Sequence, residues 1–203
     1  MIAVPTQAIL ELWFGAGLRQ PERLGEVAPR WFTTDPKFDA LLRTQYEPLL
    51  AAVARETPWQ GALEERLARL LLLDQFSRNI HRGSAQAFAY DAAAQALMRG
   101  ALEAGEDARL APIARSFLYM PLQHAEDPAL QRESVQRFAA LVADARHPLE
   151  RELLQGAADY ARLHAEIIGR FGRFPHRNAL LGRPSSPEEL AYLGGGAPTF
   201  GQS

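Results

Sequence analysis

Apolar residues recur along this chain at spacings of three and four, not in alternation. With each residue turned by about 100°, Leu63, Leu67, Leu70 and Leu71 share one face. Ile113, Phe117 and Met120 share another, as do Leu149, Leu153, Tyr160, Ile167 and Phe171. The pattern predicts about eight helices, over 6–14, 22–31, 36–56, 61–82, 84–104, 111–125, 128–144 and 149–171. A short further helix falls near 187–193.

Local signals mark the ends. Asp35-Pro36, Asp127-Pro128 and Ser186-Pro187 each set a capping side chain before a proline whose missing N–H costs nothing there. Glu189 completes a capping box with Ser186. Ser84 is expected to cap the helix over 84–104 and Gly83 to end the one before it, while Gly172 ends the helix over 149–171. Pro48 and Pro121 fall inside predicted helices and should kink them. Short connections predict antiparallel hairpins. The expected organisation is a single all-α domain over 1–193, with a flexible glycine-rich tail over 194–203.

Composition strengthens the helical reading. Of 203 residues, 35 are Ala and 29 Leu, while Val, Ile and Thr together number 17. The first two favour helices and the last three favour strands. There is no Cys, which excludes thiol catalysis, cysteine zinc sites and iron–sulfur clusters. The net charge of −2 gives no general pull toward nucleic acid or membrane, and neither is an expected partner. Residues 1–14 lack the basic start of a signal peptide, so a cytoplasmic protein is expected. No Walker loop, GxGxxG, HExxH or GxSxG occurs. No cofactor and no metal site are implied.

Chemistry enters where polar residues sit on apolar faces. Asp74, Arg78 and Arg82 continue the leucine face of 61–82, with Gln75 and Asn79 beside them. The other side of that helix is apolar too, so the stripe must point inward. It reads equally as a structural ion-pair network or as a cleft wall offering Arg78 and Arg82 to an anion. His124 extends the seam of Ile113, Phe117 and Met120, and His164 falls in the middle of the face of 149–171. Each alone is more often a satisfied core histidine than a ligand. Three helices with ionisable groups on apolar faces together suggest convergence on a site. The densest basic segment holds Arg173, His176, Arg177 and Asn178, flanked by Arg170 and Arg183 without an acidic residue between. It reads as an anion site or as a loop anchored by Phe171 and Phe174.

Several stretches carry a resemblance: Leu-Trp-Phe at 12–14, Arg-Trp-Phe at 30–32, LDQFSRNIHRG at 73–83, FLYMPLQHAE at 117–126 and FGRFPHRN at 171–178. Together they resemble the mostly bacterial "domain of unknown function 924" family, over nearly the whole chain. Ser77 and His81 depart from its pattern. The resemblance implies an all-α, tetratricopeptide-repeat-like fold of helical hairpins and assigns no reaction.

Two readings of function follow. In one, the chain binds a small phosphate- or carboxylate-bearing ligand, with hydrolase or transferase activity in view. Asp74, Gln75, Arg78, Asn79, Arg82, Arg173, Arg177 and Asn178 are the candidate binding residues, and His124, His164 and His176 the candidate acid–base groups. In the other, the chain is a helical-repeat adaptor whose groove takes a protein or peptide without catalysis. A groove filled by the chain's own C-terminal segment would count against the adaptor.

Overall fold

A computed structural model describes residues 2–56 and 61–201. Among these residues the chain is all helical, without strands. Positions 202 and 203 of the expected tail lie outside the described residues.

Helix α1 (Thr6–Phe14) leads through two 3-10 turns (Gly15–Leu18 and Pro21–Glu26) to the single turn α2 (Pro29–Phe32). The expected helix over 22–31 is therefore broken. Pro29 has no N–H to bond back to Gly25, so the α pattern cannot run through it. Helix α3 (Pro36–Arg55) follows its Asp35 cap, which accepts from the N–H groups of Lys37 at 2.9 Å and Phe38 at 3.3 Å. The expected helix 61–82 is a composite rod: α4 (Leu63–Leu70), a π-helical turn (Leu71–Phe76) and α5 (Ser77–Ile80).

Ser84 does not cap the next helix. Its hydroxyl donates to the carbonyl of His81 at 2.8 Å, a 3-10 turn follows (Ala85–Phe88), and α6 (Asp91–Glu103) starts seven residues later than Ser84 itself. After a further 3-10 turn (Asp107–Arg109), α7 (Pro112–Gln123), α8 (Pro128–Ala143) and α9 (Pro148–Phe171) pack in succession through short connections. Pro48 and Pro121 both lie inside continuous helices, α3 and α7. The Asp127 cap forms as expected, with Ala129 and Leu130. Gly172 ends α9 in the left-handed conformation, at φ 69°. Beyond the 3-10 turn Pro175–Arg177, α10 (Pro187–Gly194) begins with the Ser186–Glu189 capping box.

The rod is buried on both sides because its leucines face opposite ways. Leu70 to Leu73, Phe76 and Ile80 are all fully enclosed. An aromatic cluster supports it. Trp13 lies 5.4 Å from Phe76 and 5.5 Å from Phe117, ring centre to ring centre, and Trp31 lies 4.8 Å from Phe117. The Trp31 indole N–H donates to the Trp13 carbonyl at 3.0 Å and ties α2 to α1. A second, smaller apolar cluster gathers Ile167, Ile168 and Phe174, with Phe171, Tyr192 and Phe200 against it. No described helix is long and apolar enough to cross a membrane.

Candidate functional site

The π turn sets the first group. Its wider winding interrupts the α register within the rod, a feature that recurs at functional sites. Asp74 and Gln75 both lie on this turn and both are buried. Asp74 is fully enclosed. Its Oδ1 is 2.8 Å from Nδ1 of His124, at the end of α7, and its Oδ2 accepts from Gln75 Nε2 at 2.6 Å. One turn on, Arg78 Nη1 donates to the Asp74 carbonyl at 2.8 Å and reaches its carboxylate at 3.3 Å. Arg78 Nη2 pairs with Asp91, the first residue of α6, at 2.9 Å.

Burial alone would raise the Asp74 carboxyl, but the pull of His124 and Arg78, with the hydrogen bonds from His124 and Gln75, outweighs it and brings it down to about 2. Asp74 is therefore ionised and only accepts. The proton of His124 thus sits on Nδ1, and Nε2 is left as the acceptor. Burial, then the Arg78 charge, lowers His124 against the pull of Asp74. His164 has the same tautomer for a different reason: its Nδ1 lies 2.8 Å from the Tyr160 carbonyl, which can only accept. Burial and the neighbouring His124 push His164 down to about 3, so it is neutral. The two rings are 6.1 Å apart, and no donor among the described residues reaches Nε2 of either.

Both histidines line a cavity of about 310 Å³. Trp31 and Phe32 of α2, Gln75, Arg78, Asn79 and Arg82 of the rod and its end, Met120 and Gln123 of α7 with His124 at its end, and Tyr160 with His164 of α9 form its walls. Phe200 and Gly201 of the tail enter it as well. Gln123 is almost fully buried here, and among the described residues its Oε1 has no hydrogen-bond partner. Arg82 grips Asp39 with Nε at 2.9 Å and Nη2 at 3.2 Å, and Asn79 donates to the same carboxylate at 2.8 Å. Arg82 Nη1 is turned to the backbone carbonyl of Gly201.

Of the residues singled out in the sequence, Gln75, Arg78, Asn79, Arg82, His124 and His164 line this cavity, and Asp74 stands directly behind His124. The rest of the basic loop does not line it. Arg173 is spent on Glu189, at 2.7 and 2.8 Å. Asn178 is enclosed between Ser185 and Arg183. His176 packs on Phe174 and Phe200. Arg183 clasps Glu126 at 2.6 and 2.9 Å, so this part of the loop is an anchor. Arg177 lies between the rings of Phe88 and Phe174, at 4.6 and 4.4 Å, and donates to the His124 carbonyl at 3.1 Å. Burial and the nearby Arg78 charge pull it down to about 10. It positions His124 from behind.

Sequence reasoning missed Asp39, Asp91, Gln123 and Phe200. Phe200 had one visible signal, a lone aromatic residue in a glycine-rich tail. Among the described residues no group of three or more His, Asp or Glu side chains is arranged to hold a metal ion.

Comparisons with known proteins agree with this architecture. No curated protein matches the chain. A solved structure of a protein of unknown function from Agrobacterium tumefaciens is similar, with 34% sequence identity and a TM-score of 0.76. The match covers 93% of this chain and 96% of that one. Residues 9–197, which include the whole histidine and arginine lining, match the model of a family described as bacterial protein of unknown function (DUF924). The chain belongs to this DUF924 family.

Proposed function

We propose that the cavity binds a small anionic ligand, bearing phosphate or carboxylate, and that His124 exchanges a proton with it. The observation that carries this reading is the Asp74–His124 pair opening onto a cavity that also receives Arg82 Nη1. Asp74 fixes the tautomer and leaves Nε2 as the base, the role a carboxylate plays behind a catalytic imidazole. A ligand oxyanion would replace the Gly201 carbonyl at Arg82 and gain a charge-assisted bond.

This arrangement suits hydrolysis or transfer in which water or a ligand hydroxyl is the attacking group. As the attacking oxygen bonds to the phosphorus or carbonyl carbon, its proton would pass to His124 Nε2; the bond to the leaving oxygen breaks, and that oxygen takes the proton back from the imidazolium, which rests against Asp74 in between. The hydroxyls of Ser77 and Ser116 are turned to backbone carbonyls within their own helices. The adaptor reading has less support, because the tail occupies part of the space a partner would need.

Thermal-shift titration with inorganic phosphate and with acetate tests the reading. Binding at about a hundred times Kd adds roughly 2.7 kcal/mol of stability, a shift easily read. Tm should rise in the unmodified protein and stay flat in Arg82→Gln, each measured from its own baseline. A flat response to both anions in the unmodified protein contradicts the proposal.

A further inference from the structure

The way the tail is held describes a second half of the ligand. Among the described residues Phe200 is the one non-glycine residue with positive φ, at 52°. That conformation is unfavourable for a bulky side chain and persists only where contacts enforce it. The contacts here are aromatic. The Phe200 ring lies 4.1 Å from His164, tilted by 35°, with His176 at 5.2 Å and Tyr160 at 6.2 Å. The next residue, Gly201, also has positive φ, at 74°, and a Cβ there would meet Arg82 Nη1 at 2.9 Å. One residue thus places a ring on His164, and the next places an oxygen on Arg82. Phe32 and Tyr160, 58% and 49% exposed, extend the aromatic surface outward.

We infer that the ligand joins a flat aromatic ring to an anionic oxygen, and that Phe200 and Gly201 are an intramolecular stand-in which it displaces. The oxygen end rests on the anion-binding reading above. The ring end rests on His164, Tyr160 and His176. An internal competitor raises the apparent Kd by the inverse of the fraction of time the site is open.

Three probes separate the two ends by calorimetry on the full chain: inorganic phosphate, benzyl alcohol and phenyl phosphate. Phenyl phosphate should bind Phe200→Ala roughly tenfold more tightly than the unmodified protein, as expected when a mostly closed site is opened. It should also bind that variant roughly tenfold more tightly than inorganic phosphate, the value of one stacked ring in a desolvated slot. Benzyl alcohol should bind Phe200→Ala measurably, and Phe200→Trp should keep the site blocked. Equal affinity for phosphate and phenyl phosphate, with no binding of benzyl alcohol, overturns the ring subsite and leaves the anion reading standing. Equal affinity of phenyl phosphate for the unmodified protein and Phe200→Ala overturns the stand-in. Binding of benzyl alcohol without either phosphate overturns the anion reading, and with it this two-part ligand.

Discussion

Oδ1 of Asp74 lies 2.8 Å from Nδ1 of His124, across 50 residues of sequence. The contact joins the π turn of the rod to the end of α7. It also leaves Asp74 shared between His124 and Arg78, with no water-facing surface. Removing one member of such a buried group is costly, because the others stay charged or polar without compensation.

Asp74→Asn should therefore lower the unfolding free energy by about 3 kcal/mol in urea titration. Asp91 still pairs with Arg78 in the variant, which keeps the loss from growing further. A loss below the scatter of surface substitutions would show that Asp74 does not hold α7 to the rod.

Acid should destabilise the protein through its histidines before its carboxylates respond. Burial holds His164 and His176 at about 3, from an ordinary value of 6.5. His164 is faced by His124, Arg177 and His176, all of which oppose its protonation. Between about pH 6.5 and 3 the unfolded chain binds protons that the folded chain refuses, so stability falls as pH falls. The slope is up to about 1.4 kcal/mol per pH unit for each such histidine. Tm measured from pH 7 to about pH 5, above the titration of Asp74 and Glu126, should drop steadily. His164→Gln should flatten that drop. A Tm independent of pH in this window would mean the histidines are not buried as described.

The arginines should divide into binding and anchoring groups. Arg173 is engaged with Glu189 beside the start of α10, away from the cavity. Its pair is partly exposed and screened by water, so Arg173→Gln should leave stability nearly unchanged. Its thermal-shift response to phosphate should match that of the unmodified protein. Loss of that response in Arg173→Gln would place the anion on the basic loop instead of at Arg82.

Much of this was legible in the sequence because it is local. Caps at Asp35, Asp127 and Ser186 need only their neighbours within three residues. The inward stripe of Asp74, Arg78 and Arg82 follows from helical periodicity, and so do the seams that carry His124 and His164. What was not legible depends on partners far along the chain. Arg173, Arg177 and Asn178 share one short basic segment, yet Glu189, Phe88 and Ser185 decide where each points. Asp39 joined the site through Arg82 and Asn79, and no pattern on α3 announces that pairing. Ser84 makes no capping bond because its hydroxyl is turned back to the His81 carbonyl instead of accepting from the N–H groups that follow it. The π turn was invisible for a different reason: a wheel of fixed rotation cannot show a local change of winding.

The most direct measurement is of the imidazole nitrogens themselves. Long-range proton–nitrogen spectra of the histidine side chains, recorded during titration with inorganic phosphate, report tautomer and contact together. His124 should carry its proton on Nδ1, with a bare Nε2, and its Nε2 resonance should move toward saturation as phosphate is added. His147, which caps α9 away from the cavity, should not move. A proton on Nε2 of His124 in the free protein, or an Nε2 signal unmoved at saturating phosphate, would contradict the account.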